Sequence, residues 1–288
     1  MPGRIAAASV DHGLRPESAA EVRFVAQLCQ QLGVPHRALA VRVEPGNVQG
    51  RAREARYMAL LDWLPHAGDG LVGGSGRGPS ALATAHHADD QMETMLMRLN
   101  RGSGLAGVSG IRGATLFAPH TRPVVRPLLH WRRSELAAIV RQAGIEPVDD
   151  PSNTDPDFER ARLRMKLREA DWLDASGFAA SARYLQQVES ALDAVIGEEV
   201  SACAEPGETW TYLPYLRGEL HREPIWMGVV EVLALQFDCR LTADQSARIV
   251  ASLREGQKVN IAGVQAWAEE SDGQVRWHLA PESPRRTG

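Results

Sequence analysis

Cysteine is scarce and scattered in this chain: three in 288 residues, at Cys29, Cys203 and Cys239. An odd number at wide spacing excludes a disulfide framework and any CxxC metal or redox pair, leaving buried, reduced thiols as the expectation. No apolar run approaches the roughly 20 residues that a membrane-spanning helix needs. The opening MPGRIAAASVDHG lacks the apolar core, about 7–15 residues, of a secretory signal, so a cytoplasmic location is expected. Internal repeats and low-complexity tracts are also missing. With 44% hydrophobic residues, the length suits a globular protein of one or two domains with a sizeable core.

Charge is balanced in sum and uneven in place. The net charge is -4, but residues 1–97 carry 9 bases and 10 acids, residues 98–168 carry 13 and 7, and residues 169–288 carry 10 and 19. A basic middle between a near-neutral and an acidic block can offer one face to a polyanion, or be an ordinary uneven surface.

The first 100 residues alternate short apolar runs with amphipathic segments, the pattern of a parallel sheet flanked by helices. Ile5 to Val10 reads as a buried strand. Ser18 and Glu21 then form an S-x-x-E capping box, and Val22, Val25, Cys29 and Leu32 follow at helical spacing until Gly33. His36 to Val43 reads as a second strand, Gln49 to Leu64 as an arginine-rich helix, and Ala81 to Ala85 as a third strand. A helix from about Ala88 to Leu99 follows, with Met92, Met95, Leu96 and Leu99 as its inward stripe. Beyond a Gly/Ser loop lie Arg122, Arg126, Arg132 and Arg133, a helix over Ser134–Ala143, and the turn-former Asp149-Asp150-Pro151-Ser152-Asn153. After residue 169, helical patterns near 176–201, 224–236 and 243–254 precede a hairpin of Val259–Ala268 and Val275–Leu279, turning at Ser271-Asp272-Gly273. The expected organisation is a doubly wound, mostly parallel α/β domain over 1–168 and a helix-rich accessory domain over 169–288.

Two polar clusters stand out: Asp11-His12-Gly13-Leu14-Arg15 and His86-His87-Ala88-Asp89-Asp90-Gln91. Each follows a predicted strand and precedes a helix, the edge of an open α/β sheet where ligands bind, so the two are expected to share one crevice. Acids at a helix start are ordinary dipole partners. They are also the hard oxygen donors that hold Mg2+ beside nucleotide phosphates. HxxDD is not a trustworthy zinc pattern. The glycine stretch Gly73 to Gly78 precedes a strand, whereas a phosphate loop leaves one, so it reads as an insertion.

DHGLRPES, GNVQGRAREARY, TAHHADDQMETMLMRLNRGSG, RPLLHWRRSEL and DDPSNTDPDFERARLR, in that order over about residues 5–168, resemble the tRNA(Ile)-lysidine synthetases, N-type ATP pyrophosphatases of the PP-loop superfamily. The resemblance implies an ATP- and Mg2+-dependent ligase. Its substrates would be free L-lysine and an isoleucine tRNA with a CAU anticodon, and a homodimer is left open. It places Asp89 and Asp90 at metal or lysine, with His86 and Arg98 beside them in the catalytic group. Asp11, His12, Arg15, Gln91 and Glu93 fall to the nucleotide crevice. Arg101, Arg126, Asp150, Asn153, Arg160 and Arg164 fall to the substrate side.

Two departures qualify it. The family begins with a strand, an SGGxDS loop and a helix before the DHGLR strand, and that loop cradles the pyrophosphate with backbone N–H groups. This sequence opens at the DHGLR strand, and the expectation is a start set too far downstream. Arg160-Ala161 also stands where the family usually has Arg-Asn. The alternatives are a catalytically inactive tRNA-binding remnant, another tRNA-directed N-type pyrophosphatase such as a thiolase, which the scattered cysteines disfavour, and a metal-dependent hydrolase using His86, His87 and the aspartates.

Overall fold

The computed structural model describes residues 5–11, 18–41, 48–66, 81–147, 159–214 and 222–282. Two compact units divide the chain, Met1–Thr94 with Ile111–Ala180, and Met95–Gly110 with Ser181–Gly288. No helix among the described residues is long and apolar enough to cross a membrane.

In the first unit β1 (Ala7–Asp11) and β2 (His36–Ala40) pair in parallel, Ala7 opposite His36 and Asp11 opposite Ala40. The crossover is α1 (Ser18–Gln31), which packs on both strands and stops where Gly33 turns left-handed at φ 65°. Ser18 is already helical, and its hydroxyl donates to the Asp11 carboxylate at the end of β1. α2 (Val48–Trp63) runs into a 3-10 turn, Leu64–His66. Then β3 (Leu82–Ala83) pairs in parallel with β5 (Val124–Val125), while β4 (Ala114–Thr115) lies antiparallel on the other side of β5. Mostly parallel strands alternating with helices make this the α/β fold expected. Its core joins Tyr57, Leu60 and Leu61 of α2 and Leu64 of the 3-10 turn to Leu82 and Val124, with Val10 and Leu39 packed against them.

α3 (Ala88–Asn100) follows β3, α4 (Leu105–Val108) is a single turn, and α5 (Arg133–Gln142) and α6 (Glu159–Leu167) come next. Met92 and Met95 are buried as the stripe predicts, but Leu99 is 51% exposed. Polar Gln91 and Glu93 are buried in α3 instead, because partners reach them.

The second unit is built on α7 (Ala175–Cys203), α8 (Glu223–Leu235) and α9 (Ala243–Arg254), with a sheet ordered β6 (Ala204–Glu205), β7 (Trp210–Tyr212), β10 (Gln274–Pro281), β9 (Val264–Ser271), β8 (Val259–Ile261). Thr242 caps α9 in a reciprocal box with Gln245. Trp226 of α8 and Trp277 of β10 meet edge-on, 5.6 Å between ring centres, inside a core completed by Tyr212, Leu233, Ile249 and Leu279. Gly228 lies against Ile196, where a Cβ has no room.

The predicted strand Val259–Ala268 is two strands. Ala262 and Gly263, at φ 51° and 83°, turn β8 back on β9, and Asp272-Gly273 do the same between β9 and β10. Asp-Gly announces such a turn, whereas Ala-Gly does not. All three cysteines are free, but only Cys29 is buried; Cys203 and Cys239 are partly exposed. The Gly73–Gly78 stretch and the Asp149–Asn153 turn lie outside the described residues.

Candidate active site

The loop after β3 and the first turn of α3 carry the densest polar chemistry of the first unit. α3 begins with a reciprocal cap: the His87 backbone N–H donates to Asp90 Oδ2 at 3.0 Å, and the Asp90 N–H donates to His87 Nδ1 at 3.3 Å. A histidine thus fills the capping role usually taken by serine or aspartate. It also fixes the tautomer, since an accepting Nδ1 leaves the His87 proton on Nε2. Ala88 N–H donates to the Trp131 carbonyl at 2.9 Å, and Arg133 N–H donates to Asp89 Oδ2 at 2.7 Å, so the start of α5 is tied to the start of α3.

Two arginines of α6 close over the same turn. Arg160 donates Nε to Glu93 at 2.7 Å and Nη2 to Asp90 Oδ1 at 2.9 Å. Arg164 grips both oxygens of Glu93, Nε to Oε1 at 2.8 Å and Nη2 to Oε2 at 2.9 Å. Asp90 and Glu93, one helical turn apart, present their carboxylates together, and Arg160 and Arg164, four residues apart, match them. Burial works to raise the Glu93 carboxyl, but hydrogen bonds from Arg164 and Arg160 outweigh it and hold the group below its ordinary range.

His86 lies in the same loop, with Nδ1 3.0 Å from Thr84 Oγ1. Burial above all, and then the positive charges of Arg53, Arg126 and Arg160, overcome the opposing pull of Asp90 and bring its pKa down to about 4. His86 is therefore neutral at physiological pH, in surroundings enriched in guanidinium. Arg126 is itself buried, donating Nη1 to the Arg112 carbonyl at 2.8 Å and to Thr115 Oγ1 at 2.9 Å.

The structure thus gathers His86, Asp89, Asp90, Glu93, Arg160 and Arg164, and puts Arg126 close to His86. Gln91 does something else. Its amide donates to the Ile111 carbonyl at 3.1 Å and accepts the Ile111 N–H at 2.5 Å, so both polar atoms hold backbone and neither is left for a nucleotide. Arg98, expected in catalysis, donates Nη1 to the carbonyls of Gly107 and Gly110 at 2.8 and 3.0 Å and braces that loop. Arg101 sits in the turn that ends α3. Asp11 is the last residue of β1, at its carboxyl end. β1 and β3 belong to separately hydrogen-bonded sheets among the described residues, and both contribute to one apolar core. His12, Arg15, Asp150 and Asn153 lie outside the described residues.

A Mg2+ site needs carboxylate oxygens with lone pairs to spare. Here Asp90 and Glu93 face two guanidiniums and Asp89 holds a backbone N–H. Among the described residues no group of three or more His, Cys, Asp or Glu side chains converges as a metal site. Asp89 accepts one backbone N–H and Asp90 is paired with Arg160, so a Mg2+ beside them would take most of its ligands from nucleotide phosphates and water. Arg53 is one of several arginines on α2 that nothing in the sequence singles out, and in the fold its charge helps to lower the His86 pKa.

A family model of the PP-loop domain matches residues 2–170. The tRNA(Ile)-lysidine synthase of Zymomonas mobilis is 38% identical over 287 residues, spanning 98% of this chain and 82% of that protein. The enzyme of the same name from Novosphingobium aromaticivorans is 41% identical over 290 residues, with the same coverage of both chains. This chain belongs to the tRNA(Ile)-lysidine synthase family. Every residue of the cluster in this family member falls inside the PP-loop match. The similarity to the two tRNA(Ile)-lysidine synthases continues past residue 170 through the second unit.

Proposed function

We propose that this protein is an ATP-dependent carbon–nitrogen ligase that joins free L-lysine to C2 of the wobble cytidine of tRNA(Ile) with a CAU anticodon. The family relationship supports ATP use and a tRNA substrate. One feature carries the chemistry: half-buried His86, in the loop after β3, is held neutral by its burial and then by the charges of Arg53, Arg126 and Arg160. Such a site favours phosphate, and it lies where α/β sheets bind ligands.

In the first step the C2 oxygen of the cytidine attacks the α-phosphorus of ATP, and the bond to the β-phosphate oxygen breaks to release pyrophosphate. In the second the lysine ε-amine, having lost a proton, bonds to C2 and AMP leaves with the C2 oxygen. Neither step needs a protein nucleophile. They need positioned charge, which is the strength of a preorganised site. Arg53 and Arg126 face the phosphate charge, and neutral His86 serves as a hydrogen-bonding group rather than a further cation. The acidic edge at Asp89 and Asp90 receives the lysine ammonium. Arg160 and Arg164, anchored on Asp90 and Glu93, hold α6 beside the substrate. No step is routed through Mg2+.

The test is lysine transfer. The protein, ATP, labelled lysine and a CAU-anticodon tRNA(Ile) transcript should give RNA-bound lysine with one AMP per lysine, and omitting any component should abolish it. ATP turnover on the tRNA without lysine incorporation would overturn the assignment.

A further inference from the structure

Two tryptophans lie open to solvent beside the carboxylate–arginine cluster. Trp172 is 79% exposed and Trp131 is 37% exposed. The Trp172 ring, at that exposure, adds little to the core, and Trp131, partly covered beside His130, still shows an edge to solvent. The two positions are linked. Arg132, next to Trp131, pairs through Nη1 with Asp174 Oδ1 at 3.8 Å, two residues past Trp172. The Trp131 carbonyl accepts the Ala88 N–H that opens α3, and Arg133 N–H holds Asp89. The turn bearing Trp172 is also fixed: Leu173 N–H donates to Ala170, and the Asp174 carboxylate accepts the N–H groups of Ser176 and Gly177 at 3.1 Å each. Both rings therefore stand on backbone tied to the site.

The surroundings are cationic. Arg132, Arg133, Arg162, Lys166 and Arg168 are all exposed on α5, α6 and the segments beside them. Glu169 and Asp171 flank Trp172 itself and discourage a phosphate from lying directly on it. Exposed aromatic rings on segments that also carry exposed cations match a nucleotide whose base stacks while its backbone meets the arginines.

We infer that Trp172, assisted by Trp131, is a stacking platform for unpaired bases of the RNA substrate beside the active site. This rests on the tRNA reading above and adds the residues that would seat the RNA.

The test uses the whole protein and an RNA stem-loop with a CAU loop and 2-aminopurine at single loop positions. The unaltered protein should bind it and quench at least one 2-aminopurine. Trp172→Ala should weaken binding by about ten-fold or more and abolish that quench, the usual consequence of losing a base–aromatic stack, with the salt dependence unchanged. Trp172→Phe should recover most of the affinity, and Lys166→Ala should instead flatten the salt dependence. An alanine variant that binds and quenches like the unaltered protein overturns the stacking inference and leaves the RNA reading standing. An unaltered protein that binds no stem-loop overturns both.

Discussion

Glu93 is 3% exposed and accepts Arg164 Nε at 2.8 Å, so α6 is fastened to α3 through a buried charge. Such a carboxylate is retained only because its partners hold it, and removing it leaves Arg160 and Arg164 to share Asp90. Glu93→Ala should cost about 2–4 kcal/mol, allowing for the part-exposure of both arginines. Urea denaturation measures it. A loss below about 0.5 kcal/mol would mean that water screens the pair.

His86 sets a pH dependence whose sign follows from its burial. Its folded pKa, about 4, lies below the ordinary value of 6.5, so the unfolded chain binds more protons between the two. The His86 contribution should therefore make the protein more stable as pH rises from about 4 to 6.5 and be flat above. Glu93, with its pKa depressed, adds stability that is present above the ordinary carboxylate range and is lost as pH falls through its folded value. Denaturation curves for the unaltered protein and His86→Gln, compared across that window, isolate the histidine part. An imidazole resonance titrating near 6.5 would refute the assignment.

Gln91 predicts a second local loss. Replacing it with leucine keeps the volume but removes the amide from the half-buried Ile111 N–H and C=O, at a cost of about 1 kcal/mol. Hydrogen exchange at the Ile111 amide should accelerate in step. Unchanged protection there would show that the contact is not maintained in solution.

Arg53 can be removed with little structural penalty, because the partners it is seen to touch are the ring and hydroxyl of Tyr57. If its charge faces the nucleotide, Arg53→Ala should weaken ATP binding about ten-fold, the scale of one charge-assisted hydrogen bond. It should also raise the His86 pKa, since one opposing cation has gone. Calorimetry reads the first effect and NMR titration the second. Unaltered ATP affinity would remove Arg53 from the proposed phosphate site.

The Ala262 turn offers an improvement. Alanine at φ 51° is in the left-handed region, which asparagine tolerates better. Ala262→Asn should stabilise the protein by about 0.5–1 kcal/mol in denaturant. Destabilisation would mean that the alanine methyl makes a contact outweighing the strain.

Period and punctuation made much of this fold legible. α1, α3, α5, α8 and α9 stand within a few residues of the spans their apolar spacing predicts, because an amphipathic stripe must face a core. The β8–β9 turn escaped because Ala262-Gly263 lacks the Asn or Asp that signals a left-handed pair, and β6 and β7 because strands of two and three residues carry no measurable alternation. In the site, Asp90 and Glu93 were legible as a one-turn pair. Arg160 and Arg164 were placed at the site by the resemblance, but their pairing with Asp90 and Glu93, some 70 positions away, is set by tertiary packing. The same distance effect hid Arg53, while Gln91 and Arg98, placed at the site by the resemblance, are engaged by main chain.

The Gln91 contact also makes a statement about tolerated variation. An amide that grips only the peptide group of its partner cannot sense which side chain that partner carries. The contact therefore places no demand on the side chain at position 111, while at position 91 it requires a donor and an acceptor that reach both halves of a peptide unit.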